Sequence, residues 1–256
     1  MTRSASLGGG RSLVLPALAS LVALAILLGL GAWQLQRKTW KEGLIGQIQA
    51  RAYGEPGPIL PEAEWSAWRA EGDEFRRVRV TGTFLHPLEV AVYGLAPGGQ
   101  RGAPVQGYYL ITPLKFPSGA VVMVNRGFVP TELKDPAARP GSQPGGAATV
   151  TGLVRAPEAR NAFTPADDPA RNLWFARDPQ AIAQFHRLDR VAPFLIDADA
   201  SPQPGGWPRG GQTLLNLPNN HLQYAVTWFG IALTLIGVFA AFAWRRVKEP
   251  ASAELK

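Results

Sequence analysis

Hydrophobic residues are concentrated near the two ends of this chain, and a longer, more polar stretch lies between them. The segments Leu13 to Trp33 and Tyr224 to Trp244 contain no charged residue. At about 1.5 Å per helical residue, each segment can cover the roughly 30 Å hydrocarbon core of a bilayer. The pattern predicts a transmembrane helix at each end, which excludes a simple soluble enzyme.

Between the two spans the hydrophobic period changes from helical to alternating. From Phe75 to Phe84, Val78 and Val80 lie on one face, and Arg77 and Arg79 lie on the other. This alternation is typical of a half-buried strand. Six further segments read as short strands: Glu89 to Leu95, Gly107 to Leu114, Ala120 to Val129, Ala148 to Arg155, Asn172 to Ala176 and Pro193 to Asp197.

The predicted fold is therefore a membrane protein of the α+β class. Two transmembrane helices flank a large external antiparallel β-rich domain, a barrel or a sandwich, because seven short strands with turn-rich separators disfavour a βαβ sheet. Short helices are expected at Pro61 to Glu71 and at Asp178 to Phe185, where a proline occupies an early helical position.

Charge fixes the predicted orientation. Arg245, Arg246 and Lys248 follow the second span, so that end is expected in the cytoplasm, and an even number of spans places the N-terminus there too. A bacterial plasma (inner) membrane is the simplest location. The predicted organisation is a cytoplasmic N-terminus at 1–12, a first span at 13–33, a periplasmic β-rich domain at 34–221, a second span at 222–244 and a cytoplasmic tail at 245–256.

A cleaved signal peptide is the alternative for the N-terminal segment, with Gly29-Leu30-Gly31 as the cleavage site. The apolar stretch from Leu13 to Leu30 exceeds the usual signal-peptide core of about 7–15 residues. Trp33 also suits a membrane-interface anchor. Both observations favour a retained span.

The amino-acid composition excludes several kinds of site and reaction. The chain has no cysteine and only 2 methionines, which excludes disulfides, thiolate metal sites and thiol nucleophiles and disfavours a copper carrier. The formal charge of +7 is spread over the whole chain rather than collected on one segment, so no nucleic acid is expected as a partner.

No catalytic residue is predicted, and the protein is not expected to be an enzyme. Only one neighbourhood combines acidic residues with histidine, and it is made of Asp167, Asp168, Asp178 and His186 in predominantly loop surroundings. No nucleophile elbow, zinc-protease motif or phosphate-binding glycine loop is present.

His221 is the candidate metal ligand. It precedes the last hydrophobic span, and helical spacing places His221, Tyr224, Ala225 and Trp228 on one face. An imidazole there can ligate the iron of a haem, with Tyr224 and Trp228 beside the macrocycle. The alternative is an interfacial histidine that only makes hydrogen bonds, with the aromatics as belt residues.

A matching arrangement follows the first span. Arg37 and Lys41 lie on one helical face, where they can hold haem propionates through charge-assisted hydrogen bonds. The alternative is contact with lipid headgroups through long, snorkelling side chains.

Four segments are similar to a known family. They are Gly31-Ala-Trp-Gln-Leu-Gln-Arg-Lys-Thr-Trp-Lys41, Val80-Thr-Gly-Thr-Phe84, Val124-Asn-Arg-Gly-Phe-Val-Pro130 and Asn219-Asn-His-Leu-Gln-Tyr-Ala-Val-Thr-Trp-Phe229. Together they resemble the Surfeit locus protein family, the cytochrome c oxidase assembly factors. In the third segment, Asn125, Arg126 and Gly127 are expected to shape a strand end and turn, with a positive φ at Gly127.

The resemblance implies an assembly role at a haem-copper terminal oxidase. The protein would bind haem a through His221, the family's candidate axial ligand. It would accept the haem from the haem a synthase and assist its insertion into the catalytic subunit. A haem-free membrane scaffold that stabilises a nascent oxidase subunit is the alternative, and it does not require His221.

Overall fold

A computed structural model describes residues 11–97, 103–202, 204–213, 215 and 218–248. They form two compact units, one helical and one rich in β-strands. The helical unit contains residues 11–47 and the described residues from 218 onward, and the β-rich unit spans 48–215. The predicted tail and cytoplasmic N-terminus fall mostly outside the described residues.

The helical unit is a pair of antiparallel helices. Helix α1 covers Arg11–Ala52 and helix α4 covers His221–Lys248, and both are long and apolar enough to cross a membrane. Along α1 the less exposed positions recur at alternating steps of four and three residues. The same spacing in α4 joins His221, Ala225, Trp228 and Ala232. These rows form a seam like that of a coiled coil.

The β-rich unit is a closed barrel with additional edge strands. Its strands are β1 (Gly57–Pro58), β2 (Arg77–Phe84), β3 (Val90–Ala96), β4 (Val105–Lys115), β5 (Val121–Pro130), β6 (Ala147–Arg155) and β7 (Val191–Ala198). They follow the order β1-β2-β6-β7-β5-β4-β3, and a further β2–β4 pairing closes the ring. The predicted fold class is confirmed, although β5–β7 and β1–β2 pair in parallel.

Six of the seven predicted strands form. The segment Asn172 to Ala176 does not, because Trp174 makes only an isolated bridge to Val92 beside β3. Strand β1 was not expected in the segment from Gly54 to Pro58, which its glycines and prolines mark as a helix breaker.

The barrel core explains why β5 is apolar on both faces. Val122 and Val124 point into the barrel against Phe194, whereas Met123 packs outside it with Leu195 and Ile182. Ile182 belongs to helix α3 (Pro179–His186), which begins at a cap where the Asp178 carboxylate accepts two backbone N–H bonds. Double-sided burial therefore replaces alternation with a continuous hydrophobic run.

The other predicted short helix is divided. Glu62–Ala67 forms a 3₁₀ helix and Ala70–Asp73 forms helix α2, separated by Trp68 and Arg69 in extended conformations. The Trp65 ring meets Phe194 edge-on at 6.1 Å. The predicted helix is therefore broken just after the residue whose ring contacts the barrel core.

Candidate functional site

The site is built around a hydrogen bond between the two long helices. His221 is the first residue of α4, and its Nδ1 lies 2.7 Å from Oε1 of Gln34 in α1. An amide oxygen only accepts, so Nδ1–H donates and the second ring nitrogen, Nε2, keeps its lone pair. Within the described residues, no hydrogen bond is made to Nε2. The half-buried imidazole thus has the tautomer of a metal ligand.

A second polar atom near His221 has no partner. The side-chain oxygen of Asn219 is buried and makes no hydrogen bond to any described residue. Buried polar atoms are nearly always satisfied in folded proteins, so this oxygen is an acceptor open to a further donor. The lone pair of His221 Nε2 is the donor that fits an iron porphyrin as cargo.

Tyr224 and Trp228 occupy different environments on the His221 side of α4. Trp228 is half-buried and belongs to the seam. Tyr224 retains 55% of its exposure and lies beside the seam. An exposed tyrosine ring and a half-buried tryptophan within two turns can flank a flat ligand, and this role stays a prediction.

Arg37 and Lys41 are not placed alike. The Lys41 ammonium lies on the seam side and donates to the backbone oxygen of Pro218. The Arg37 guanidinium lies over the Trp40 ring, 3.9 Å from its centroid, with its side chain exposed. Arg37 therefore has hydrogen-bonding capacity for an acid group, whereas Lys41 already holds the segment before α4. Their role with propionates stays a prediction.

The segment from Asn125 to Gly127 is not a strand end, and this expectation was wrong. All three residues lie within β5, at a bulge opposite Leu110 and Ile111. The Asn125 side chain accepts from Gly127 N and donates to Asp197, which stabilises the bulge internally. Gly127 does have a positive φ, 127°, as the sequence predicted.

The bulge brings the backbone close to a later segment. A Cβ at Gly127 would lie 2.1 Å from the backbone oxygen of Arg209. The backbones of Arg209 and Phe128 exchange two hydrogen bonds, each N–H donating to the oxygen of the other residue. Glycine is required there for space as well as for φ. The motif therefore secures the chain that leaves the barrel.

The acidic neighbourhood near His186 has structural roles. Asp167 pairs with Arg160 and Asp168 caps a short helix, as Asp178 does for α3. Burial lowers the pKa of His186, whose Nε2 has no partner in the described chain. No group of three or more possible metal-ligating side chains occurs among the described residues.

Sequence reasoning missed two groups. Gln34 lies inside the first recognisable segment, and its seam position, two heptads before the buried Ile48, was open to detection from the heptad spacing of α1. A buried cluster of Glu89, Arg126 and Arg139 was also missed, because its members are far apart in the chain.

This combination defines a class: a small β-barrel domain joined to a pair of membrane-type helices, which a histidine–glutamine hydrogen bond links. Comparison with known proteins makes the class specific, since the SURF1 family profile matches residues 21–233.

Three relatives illustrate the match. Surfeit locus protein 1 of Xenopus tropicalis is 38% identical over 213 residues, which covers 79% of this chain and 67% of that protein. The Homo sapiens protein of the same name is 37% identical over 215 residues, covering 80% and 69%. A SURF1-like protein of Monosiga brevicollis is 38% identical over 215 residues, covering 81% and 80%. The chain belongs to the SURF1 family, known as cytochrome oxidase assembly factors.

Proposed function

We propose that this protein assists assembly of a haem-copper terminal oxidase by holding haem a at His221 and delivering it to the catalytic subunit. The observation that carries the proposal is the bond from His221 Nδ1 to Gln34, which leaves Nε2 available as an iron ligand. Family membership supports the assembly role.

The supporting hydrogen bond has a chemical consequence. A histidine that donates its other N–H to an acceptor is held in one orientation and is a better electron donor to a metal. A single axial ligand of this kind suits a carrier, because the cargo must be held and then released. Delivery then requires ligand exchange and no covalent chemistry.

The surrounding residues are assigned on the same basis. Tyr224 and Trp228 would contact the macrocycle, and Arg37 would pair with a propionate through its exposed guanidinium. Lys41 would do so only by leaving the Pro218 oxygen, so its contribution is expected to be smaller.

The expected setting is a bacterial inner membrane, with both termini in the cytoplasm and the barrel in the periplasm. There the haem a synthase supplies the cargo, the oxidase catalytic subunit receives it, and the bilayer accommodates its hydrophobic tail. The two apolar helices support a membrane location.

Absorption spectra test haem binding directly. The full-length protein is co-expressed with haem a biosynthetic enzymes and purified in detergent as wild type, His221→Ala, His221→Gln and Gln223→Ala. Gln223 is exposed, so Gln223→Ala is the control and should carry haem a like the wild type. His221→Gln keeps a side chain able to bond Gln34 but is a poor iron ligand, and it should lose the haem a spectrum with His221→Ala.

The alternative function is a haem-free scaffold, and one observation favours it. The bond between His221 and Gln34 joins the two helices and can serve stability alone. A scaffold would emerge haem-free from cells that make haem a. It would also tolerate His221→Gln without any spectral change.

A further inference from the structure

A buried charged cluster in the β-rich unit has more positive than negative charge. Glu89 accepts from Arg126 Nη1 at 3.2 Å and also pairs with Arg139. The three side chains retain only 2–5% of their exposure. One carboxylate therefore faces two guanidinium groups, which leaves one positive charge in excess inside the protein.

The neighbours of the cluster do not cancel this charge. Arg126 also donates to the Ser142 backbone oxygen, and Arg139 donates to the Leu133 oxygen and the Ser142 hydroxyl, all of them neutral acceptors. Burial is the main cause that lowers the pKa of nearby His86, and it favours the neutral form of that ring. A buried charge without a counter-charge destabilises the folded protein, because the desolvation of that charge is not offset.

A cavity of about 310 Å³ lies against Arg126. Phe84 lines it on one side, with the Arg126 guanidinium carbon 5.1 Å from the ring centroid. Thr149, Thr151 and Ser201 also line it and are capable of hydrogen bonding. A guanidinium has five N–H donors, and among the described residues only two of those of Arg126 have partners.

The acidic side chain in the cavity wall already has a basic partner. Asp199 lines the cavity, but its Oδ2 accepts from Arg77 at 2.7 and 3.1 Å. This half-buried pair is neutral overall, so it leaves the excess charge of the buried cluster in place.

The cavity coincides with an opening in the barrel wall. Strand β2 pairs with β6 from Ala147 to Leu153, whereas β7 pairs with β6 only from Gly152 to Arg155. Before Gly152, strand β6 has no ladder partner on the β7 side, where Asp199 N donates to the Thr151 backbone oxygen. An unpaired strand edge leaves backbone groups open to further partners.

We propose that this cavity is a binding site for a small organic oxyanion, a carboxylate or a phosphate ester, held by Arg126. Such a ligand would neutralise the excess charge, and arginine recognises both groups through paired N–H bonds. The polar wall would orient the ligand, while Phe84 would contact its apolar part. The site lies wholly within the β-rich unit and is independent of haem binding.

Calorimetric titration of the full-length protein in detergent tests the site, with acetate, succinate and inorganic phosphate as probes against chloride at equal ionic strength. Wild type is expected to bind one equivalent of at least one probe. Arg126→Lys loses the planar donor fork and should weaken that binding at least tenfold. Arg171→Gln removes an exposed cation outside the cavity and should leave affinity unchanged.

A second variant tests the cavity without changing the buried charged residues. Ala148 lines the cavity, so Ala148→Phe should fill it and abolish binding while leaving Glu89, Arg126 and Arg139 intact. Preference for acetate or succinate would identify a carboxylate ligand, and preference for phosphate a phosphate ester. No saturable binding by wild type, or equal binding by Ala148→Phe, would overturn the proposal.

Discussion

At the scale of single residues, Gln34 determines what His221 can do. The amide oxygen of Gln34 holds the Nδ1 proton, so the chemistry of Nε2 depends on a residue in the other helix. Neither residue is unusual alone. Their meeting depends on the pairing of α1 with α4, which sequence spacing within either helix does not reveal.

Gln34→Leu should weaken haem a retention by about 10–100-fold, because partners of metal-ligating histidines typically contribute that much. The side chains are similar in size, so the helices should remain packed. Haem a loss on dilution, followed by absorption, measures the effect. Gln36→Leu, at a position exposed to solvent or lipid, is the matched control. Equal retention by both variants would show that Gln34 does not support the ligand.

Gly127→Ala should lower the free energy of unfolding by at least about 2 kcal/mol, since a strained φ alone costs on the order of 1–3 kcal/mol. The new Cβ would also meet the Arg209 oxygen at 2.1 Å. Urea unfolding of the full chain measures this. Gly145→Ala is the control, because its Cβ meets nothing within 4 Å. A loss no greater than that of the control would contradict the requirement for glycine.

Acid should destabilise the β-rich unit through two histidines. Burial lowers the pKa of His86 and of His186 from the ordinary 6.5. The unfolded chain then binds protons first as pH falls, so the stability present above 6.5 is lost progressively below it. Unfolding free energies between pH 7.5 and 5.5 should decrease on acidification. The double variant His86→Gln, His186→Gln should show a weaker dependence, and an unchanged slope would contradict this assignment.

At the scale of elements, Gly31 is what lets the two helices approach. It is buried, and a Cβ there would lie 2.6 Å from the Phe229 ring. Gly29, two residues earlier, is exposed and would meet nothing within 4 Å. The two glycines therefore have different roles despite their proximity.

Gly31→Val should destabilise the helix pair by roughly 1–3 kcal/mol, the usual cost of overpacking. Thermal unfolding in detergent, monitored by circular dichroism, compares it with Gly29→Val, which should be near neutral. Phe229→Ala should partly restore stability in the double variant by making room for valine. Additive losses in the double variant would show that the two side chains do not meet.

Six strands were predictable because their apolar positions reflect local burial, and both long helices because each contains an uncharged apolar run long enough to span a bilayer. Asn172 to Ala176 was misassigned since its apolar residues pack under β3 without joining a ladder. The bulge at Asn125 to Gly127 and the Glu89 cluster depend on contacts across 37 to 72 residues. Such contacts leave no period in the sequence. His221 could be singled out as a candidate because the helix start and the neighbours that define it are local in the sequence.

At the scale of the whole molecule, the β-rich unit and the helical unit carry different chemistry. The barrel has a buried excess of positive charge, and the helices carry His221, the proposed iron ligand. Loss of oxidase assembly could therefore arise from either unit. Variants must be tested for abundance and folding as well as for assembly.

The most direct measurement of the central claim is the haem a content of the oxidase catalytic subunit in cells lacking this protein. Wild type should restore it. His221→Gln, present at the wild-type level, should yield a subunit depleted of haem a, while Gln223→Ala should restore it fully. Full restoration by His221→Gln would contradict delivery through His221 and identify the protein as a scaffold.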